Sequence, residues 1–322
     1  MSVTAALSPV EPAEPFVHPA LFYRGAAEYL AGTVPFVRAG LAAGEPVAVA
    51  VPGGNLALLR SALGADAVRV RLLDMMAAGR NPGRIIPGVL RAFADAHPGG
   101  PVRIIGEPVW PDRSGLEYPA CAQHEALINH AFTGRDVTIL CPYDVAGLDQ
   151  DVLADAEATH PVLIDADGAR DSEAYAPDRV VAAHNQPLPA PSVPVEEVVA
   201  ATVPDVVAAR RLASGHATRL GLSPDRAADV ELAVTELLTN SVEHGGGAGT
   251  LRMWTCGDHL VCEVQDGGTL ADPLAGRRPA RRGHPRGRGL LLVNQIADLV
   301  RTHTGPGSTA IRAYFRMGPF TG

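Results

Sequence analysis

The sequence predicts an α/β protein in two parts. The first is a mostly parallel sheet flanked by helices, and the second an α/β sandwich with helices on one face of a mixed sheet. Three observations lead there. Between residues 19 and 165, short apolar runs alternate with amphipathic stretches, the pattern of strand–helix–strand units. Between Asp171 and Pro194 the chain crowds prolines at 187, 189, 191 and 194, which favours an extended spacer. Beyond the spacer, helical patterns surround a hairpin pattern, TLRMWTCGDHLVCEVQD, and the chain closes on the strand-like GSTAIRAYF.

Each element has a local reason. Residues Pro19 to Gly40 read as a helix anchored by Leu21, Phe22, Tyr29 and Leu30. EPVAVAV is a continuous apolar run and reads as a buried strand, ended by Pro52-Gly53-Gly54, with a helix from Asn55 to Leu63. VRVRLLD, VRIIGE and DVTILCPYD are the next strands, and PVLID closes the run. Helices are expected over Pro87 to Ala96, Tyr118 to Phe132 and Gln150 to Thr159. In the second part VEEVVAATV reads as a strand and Asp205 to Leu220 as a helix. A central helix, VELAVTELLTNSVEHGG, starts after Ser223-Pro224-Asp225 and stops at the glycines from 245. A two-residue turn at Gly257-Asp258 would pair Cys256 with His259.

Composition narrows the function. The chain has 322 residues, 47% of them apolar, enough for two cores. No apolar run approaches the roughly 18 residues that a membrane span needs. A formal charge of −8 gives no general affinity for nucleic acid. All 27 basic residues are arginines, so a Walker-type phosphate lysine, a Schiff-base lysine and a kinase strand lysine are all excluded. The opening MSVTAALSPVEPAEP has no basic region and no signal core, so residues 1–14 are expected to be a disordered tail. Cys121, Cys141, Cys256 and Cys262 fit neither a disulfide framework nor a zinc ribbon, and reduced thiols in a cytoplasmic protein are expected. Cys121 and His124 form a metal-ligand pair in spacing, without a second pair to complete it.

Chemistry concentrates in the second part. Glu236 and Asn240 stand four apart on the central helix and project from one side. The amide oxygen suits Mg²⁺, and the carboxylate suits a base for an attacking hydroxyl. Asp266 and Gly268 end a strand, where the carboxylate can accept from an adenine amino group and the glycine leaves room for the base. Gly287 and Gly289 open an apolar helix whose free N–H groups favour phosphate. Thr309 leads into the last strand. The stretch between the glycine pairs, GTLADPLAGRRPARRGHPR, is too rich in Gly, Pro and Arg for a packed element. It reads as a mobile lid in which Arg277, Arg278, Arg281, Arg282 and Arg286 can neutralise phosphates. In the first part, Asn55, Asp74, Glu107, Cys141, Tyr143 and Asp144 gather at strand ends, where open α/β sheets bind ligands.

Taken in order, these boxes resemble those of the GHKL superfamily of ATPases and kinases, and ELLTNSVEHG is most similar to the anti-sigma-factor serine kinases of bacteria. The resemblance covers about Val195 to Phe320 within a domain placed at 195–322. It implies a protein serine/threonine kinase using ATP and Mg²⁺, with Glu236 as general base and Asn240 as the Mg²⁺ ligand. Asp266, Gly268, Gly287, Gly289 and Thr309 would hold the nucleotide, Thr309 on the adenine side. It also implies a sigma factor and a STAS-type antagonist as partners, a homodimer, and a place in the cytoplasm, with no direct contact to nucleic acid or membrane. GEPVWP, HEALINHAF and LCPYD resemble the MEDS sensory domain, itself similar to a RecA/KaiC-type core, from about Pro15 to Asp165 within a domain placed at 15–170. The loop VPGGNL lacks the G-K-[ST] of a phosphate loop, so this core is expected to be degenerate and not an ATPase. A small-molecule pocket lined by Glu107, Trp110, Glu125, Asn129, Cys141, Tyr143 and Asp144 is implied, and 171–194 is the linker. Two other readings are a non-catalytic ATP-binding module that engages a partner, and an atypical histidine-kinase-like ATPase. The last lacks support, since none of the eleven histidines sits in a phosphoacceptor pattern.

Overall fold

The computed structural model describes residues 15–280 and 287–318, so the tail expected over 1–14 lies outside it. The first domain runs β1 (Pro19–Tyr23), α1 (Gly25–Ala42), β2 (Val47–Val51), α2 (Gly53–Leu63), β3 (Arg71–Asp74), α3 (Met75–Ala78), α4 (Arg91–Asp95) and β4 (Val102–Gly106). It continues with α5 (Tyr118–Phe132), β5 (Val137–Asp144), α6 (Gln150–Thr159), β6 (Val162–Asp165), β7 (Gly168–Asp171) and α7 (Pro177–Ala183). The sheet order is β3-β2-β4-β5-β1-β6-β7, parallel throughout except for the last pair. β2 shows why its strands read as continuous apolar runs. Val47, Val49 and Val51 pack into the core beneath α1 and α2, while Ala48 and Ala50 pack into the core beneath α4 and α5.

The helix expected from Pro19 is two elements. Pro19–Tyr23 is a strand at the middle of the sheet, between β5 and β6. Gly25, at φ +70°, turns the chain into α1. A five-residue run buried on both faces has no period to distinguish it from the helix that follows. α1 then continues through Pro35, whose ring and missing donor cost about 3 kcal/mol. Burial of Val37 and Leu41, at about 1.5–3 kcal/mol each, offsets that cost. Helix is also shorter than expected near Pro87: Ile86–Leu90 form a π turn, and α4 covers only Arg91–Asp95. The stretch expected as a spacer from Asp171 holds the end of β7 and all of α7, whose Val180 is buried.

The second domain comprises β8 (Glu196–Ala200), α8 (Val203–Arg219), α9 (Pro224–His244), β9 (Gly249–Cys256), β10 (His259–Asp266), α10 (Gly289–Ile296), β11 (Leu299–Gly305) and β12 (Ser308–Arg316). Its sheet, β11-β12-β10-β9-β8, is antiparallel at every pairing rather than mixed, because a tight hairpin joins β11 to β12. Cys256 does face His259 across the β9–β10 hairpin. The α/β class therefore holds in both domains. Helices α8, α9 and α10 cover one face of the second sheet. On the other face Trp254, Val261, Leu299 and Tyr314 pack with Ala120 of α5. Arg312 lies over Trp254 there and pairs with Glu263 at 2.6 Å, while its Nη2 also donates to the Pro189 carbonyl. Among the described residues, no helix is long and apolar enough to cross a membrane.

Buried hydrogen bonds join the domains. Asn81, fully buried, donates Nδ2 to the Asn294 carbonyl at 2.8 Å, and its Oδ1 accepts from the Gly83 and Val300 amides. A Cβ on Gly83 would stand 2.0 Å from Asn294 Oδ1, so the contact requires glycine. Asn185 donates to the Thr304 carbonyl, and Arg301 to that of Leu116. Removing the Asn81 side chain leaves buried partners unsatisfied. Asn81→Ala is expected to lower stability by about 1–3 kcal/mol. Urea denaturation of the full chain measures it, and an unchanged midpoint would show that water replaces these bonds without loss.

Candidate functional site

The cleft forms where α9, the β10–β12 edge and the start of α10 meet. Ser223 caps α9 by accepting from the Arg226 amide, and Pro224 occupies its first turn. The inner stripe of α9, including Val230, Val234, Leu237 and Leu238, is buried against the sheet. That sets Glu236 and Asn240 at the margin of the core, each half-buried. Both side chains approach Gly289: a Cβ there would lie 2.6 Å from Glu236 Oε2 and 3.3 Å from Asn240 Nδ2. The Arg288 side chain does not cap α10, whose first amides have no acceptor within the helix itself. Gly287 holds φ +81°, a conformation that favours glycine.

At the other end Asp266 is tightly placed. Oδ2 accepts from Ser241 Oγ at 2.7 Å and Oδ1 from the Gly268 amide at 2.8 Å. A Cβ on Gly245 would strike the Asp266 carboxylate at 2.4 Å, and one on Gly268 would lie 2.8 Å from Gly245 Cα. Thr309 sits opposite Asp266 in the β10–β12 ladder and donates to the Gly268 carbonyl at 3.1 Å. One cleft of about 710 Å³ is lined by Glu236, Asn240, Asp266, Gly268, Gly287, Gly289 and Thr309 together. All seven residues singled out in the second domain thus share a single cavity.

The described part of the lid is packed, not free. Leu274 is buried in the core of the first domain. Arg277 turns away from the cleft with its Nη1 enclosed, whereas Arg278 lines the cleft and pairs with Asp272. Arg281, Arg282 and Arg286 lie outside the described residues.

The first-domain residues divide into two groups across the sheet. Glu107 is buried with Tyr23, Tyr29 and Asn55, and Asn55 Nδ2 donates to both its oxygens at 2.9 Å. Glu125, Asn129, Cys141 and Tyr143 lie on the other side, beneath α5 and α6. The cavity lined by Glu125 and Tyr143 measures about 10 Å³, room for one water at most. Trp110 stacks under the Arg113 guanidinium at 4.2 Å, and Asp144 closes a turn by accepting from the Ala146 amide. The sequence reading did not single out His18 and His160, which are buried beside Glu125. Lone histidines in apolar surroundings, far apart in sequence, give no pattern to find.

Comparison with known proteins gives this architecture a class. Residues 17–161 match the MEDS family, described as the methanogen/methylotroph DcmR sensory domain, and residues 199–315 match the histidine kinase-like ATPase domain. The serine-protein kinase RsbW of Halalkalibacterium halodurans is 31% identical over 125 residues, which cover 35% of this chain and 77% of that protein. The chain belongs to this family: it is a MEDS domain fused to a GHKL domain of the RsbW, anti-sigma-factor kinase type. A structure of the RsbU and RsbW domains from Mycobacterium tuberculosis aligns at 20% identity and a TM-score of 0.31, over 39% of this chain and only 34% of that one.

The Glu107 environment makes a pH prediction. Burial pushes its carboxyl up from 4.5 to about 8, against hydrogen bonds from Asn55, Tyr23 and Tyr29 that pull it down. Between those values the unfolded chain releases the proton and the folded chain keeps it. Stability therefore falls as pH rises through that window and levels off above about 8. Glu107→Gln is expected to flatten the slope. Urea midpoints for both proteins across the window test it, and parallel slopes would remove Glu107 as the cause.

Proposed function

We propose that the second domain is an ATP- and Mg²⁺-dependent protein serine/threonine kinase of a bacterial cytoplasm. In this reading it phosphorylates a STAS-type antagonist, sequesters a sigma factor, and answers to a small molecule sensed by the first domain. The observation that carries the reading is the pair Glu236 and Asn240, one helical turn apart and both directed at the open end of α10 in a single cleft. A module that only binds nucleotide needs the amide but not the carboxylate.

The residues fit a magnesium nucleotide. Gly245 and Gly268 keep the floor beside Asp266 clear of side chains, and Gly289 leaves space that a Cβ would fill. Each Asp266 oxygen accepts one hydrogen bond and retains a lone pair for an adenine amino group. The amides opening α10 suit phosphate, and the Asn240 amide oxygen suits Mg²⁺. When bound, ATP supplies the phosphoryl group. Glu236 takes the proton of the attacking serine hydroxyl, and Gly289 and Asn240 position the reacting end.

Two variants of the full chain test the assignment. Asn240→Ala is expected to lose most Mg-ATP affinity in calorimetry, and wild-type affinity would refute the metal role. Glu236→Gln is expected to cut transfer to the antagonist serine by about 10²–10⁴-fold with ATP and sigma-factor binding kept. Unchanged transfer would remove Glu236 as base. Failure of the wild type to phosphorylate any antagonist, with ATP-dependent partner binding intact, would install the binding-module reading instead. The same reading includes a homodimer, which light scattering at high concentration checks.

A further inference from the structure

Beneath α5, four buried side chains from four separate parts of the first domain converge: His18 before β1, Glu125 on α5, Cys141 on β5 and His160 after α6. One ligand atom from each lies within 4.8 Å of all the others. His18 Nε2 stands 3.4 Å from Cys141 Sγ and 3.7 Å from Glu125 Oε2, and His160 Nε2 is 3.1 Å from the same carboxylate oxygen.

Hydrogen bonds behind the rings decide where the protons sit. Asn129 donates Nδ2 to the Ala126 and Thr159 carbonyls, so its Oδ1, 3.2 Å from His18 Nδ1, can only accept. His160 Nδ1 lies 2.8 Å from the Ala156 carbonyl, which can only accept. Both rings therefore carry their proton on Nδ1 and turn a bare Nε2 lone pair inward. Two lone pairs and a carboxylate then face one another in a sealed interior. Neither Glu125 oxygen nor His160 Nε2 has a hydrogen-bond partner. A dry carboxylate surrounded by other acceptors is strongly unfavourable. Protonating His160 alone would leave one imidazolium–carboxylate pair at 3.1 Å with the His18 lone pair and Cys141 thiol still facing it, and protonating both rings would set two imidazoliums with centroids 4.1 Å apart.

We infer that His18, Glu125, Cys141 and His160 form a closed four-coordinate site for a divalent transition metal of the zinc class. Two imidazole nitrogens, one thiolate and one carboxylate make a borderline-soft set that matches Zn²⁺ or Co²⁺ and disfavours Mg²⁺ or Ca²⁺. A divalent ion with one thiolate and one carboxylate buries no net charge. Binding releases the Cys141 thiol proton to solvent and changes no oxidation state. Asn129 and the Ala156 carbonyl are the outer partners that fix the rings, as metal-bound histidines require. With all four positions taken by protein, the site is structural or sensory rather than hydrolytic.

The test uses the full chain expressed with added zinc and, separately, loaded with Co²⁺ after chelation. Elemental analysis is expected to give about one Zn per chain. The Co²⁺ form is expected to show the intense visible bands of a tetrahedral ion and a near-ultraviolet thiolate-to-cobalt band. Cys141→Ser, a near-isosteric change, should abolish the thiolate band, and His160→Gln should weaken metal affinity at least about tenfold. Circular dichroism certifies that each variant is folded, and if His160→Gln is not, Cys141→Ser alone decides. A folded wild type that takes up neither Zn²⁺ nor Co²⁺ in stoichiometric amount would overturn the site and point to a shared proton. An unchanged cobalt spectrum in Cys141→Ser would overturn it as well.

Discussion

Asn294 satisfies hydrogen-bonding demands in two directions, toward the first domain and toward the segment over the cleft, and the placing of α10 rests on it. Its backbone carbonyl accepts from Asn81 of the first domain, and its Nδ2 donates to the Gly276 carbonyl in the glycine-rich segment. It rides on α10, whose first residue, Gly289, borders the cleft. Shifting α10 by an ångström would strand several polar groups in a region from which water is excluded, at a cost of about 1–3 kcal/mol each. The first domain, the segment over the cleft and the helix that borders the cleft are therefore held by one set of bonds. α10 touches the first domain at Asn294 and the cleft at Gly289.

The segment over the cleft shows the same division of labour. Arg277 and Arg278 are neighbours, yet one is directed away from the cleft and the other lines it. Leu274, three residues earlier than Arg277, is part of the first domain's hydrophobic core. Opening this segment fully means exposing Leu274, at about 1.5–3 kcal/mol, and breaking the Asn294–Gly276 bond. Access to the cleft and the packing of the two domains thus draw on the same contacts. The segment touches both the first domain and the cleft, the contiguity that coupling between them would require.

Legibility in the sequence followed the physics of each signal. Helices α5 and α6 were readable to the residue, because their apolar stripes are long and their ends are marked. β1 was not, because five residues buried on both faces carry no period, and the helix after it extended the pattern. β11 was overlooked, and with it the antiparallel character of the second sheet, although Gly305-Pro306-Gly307 is a turn signal. The seven residues that the sequence groups share one cleft because they come in local groups whose spacing is set by one helix turn or one tight loop, whereas other lining residues such as Thr239, Glu243 and Asp272 carry no such pattern. Nothing local joins His18 to His160. The sequence places Glu125, Asn129 and Cys141 only in a small-molecule pocket, and the pair with metal-ligand spacing, Cys121 with His124, is not the one that converges.

The two buried carboxylates of the first domain show why the histidine cluster is unusual. Both belong to the same domain, and both are about 2% exposed. Glu107 is met by donors: the Asn55 amide reaches both its oxygens, and the Tyr23 and Tyr29 hydroxyls point at them. Burial then favours a retained proton, and the group needs nothing more. Neither Glu125 oxygen is met by a hydrogen bond of good geometry, and the His160, His18 and His124 rings stand 3.1, 3.7 and 3.8 Å away. Asn129 and the Ala156 carbonyl hold the protons of His18 and His160 on Nδ1, so the Nε2 atoms of these two rings turn toward the carboxylate. The protein satisfies one buried acid with hydrogen-bond donors and frames the other with further electron-pair donors. A cation completes the second arrangement and would be repelled by nothing in it, whereas the first has no place for one.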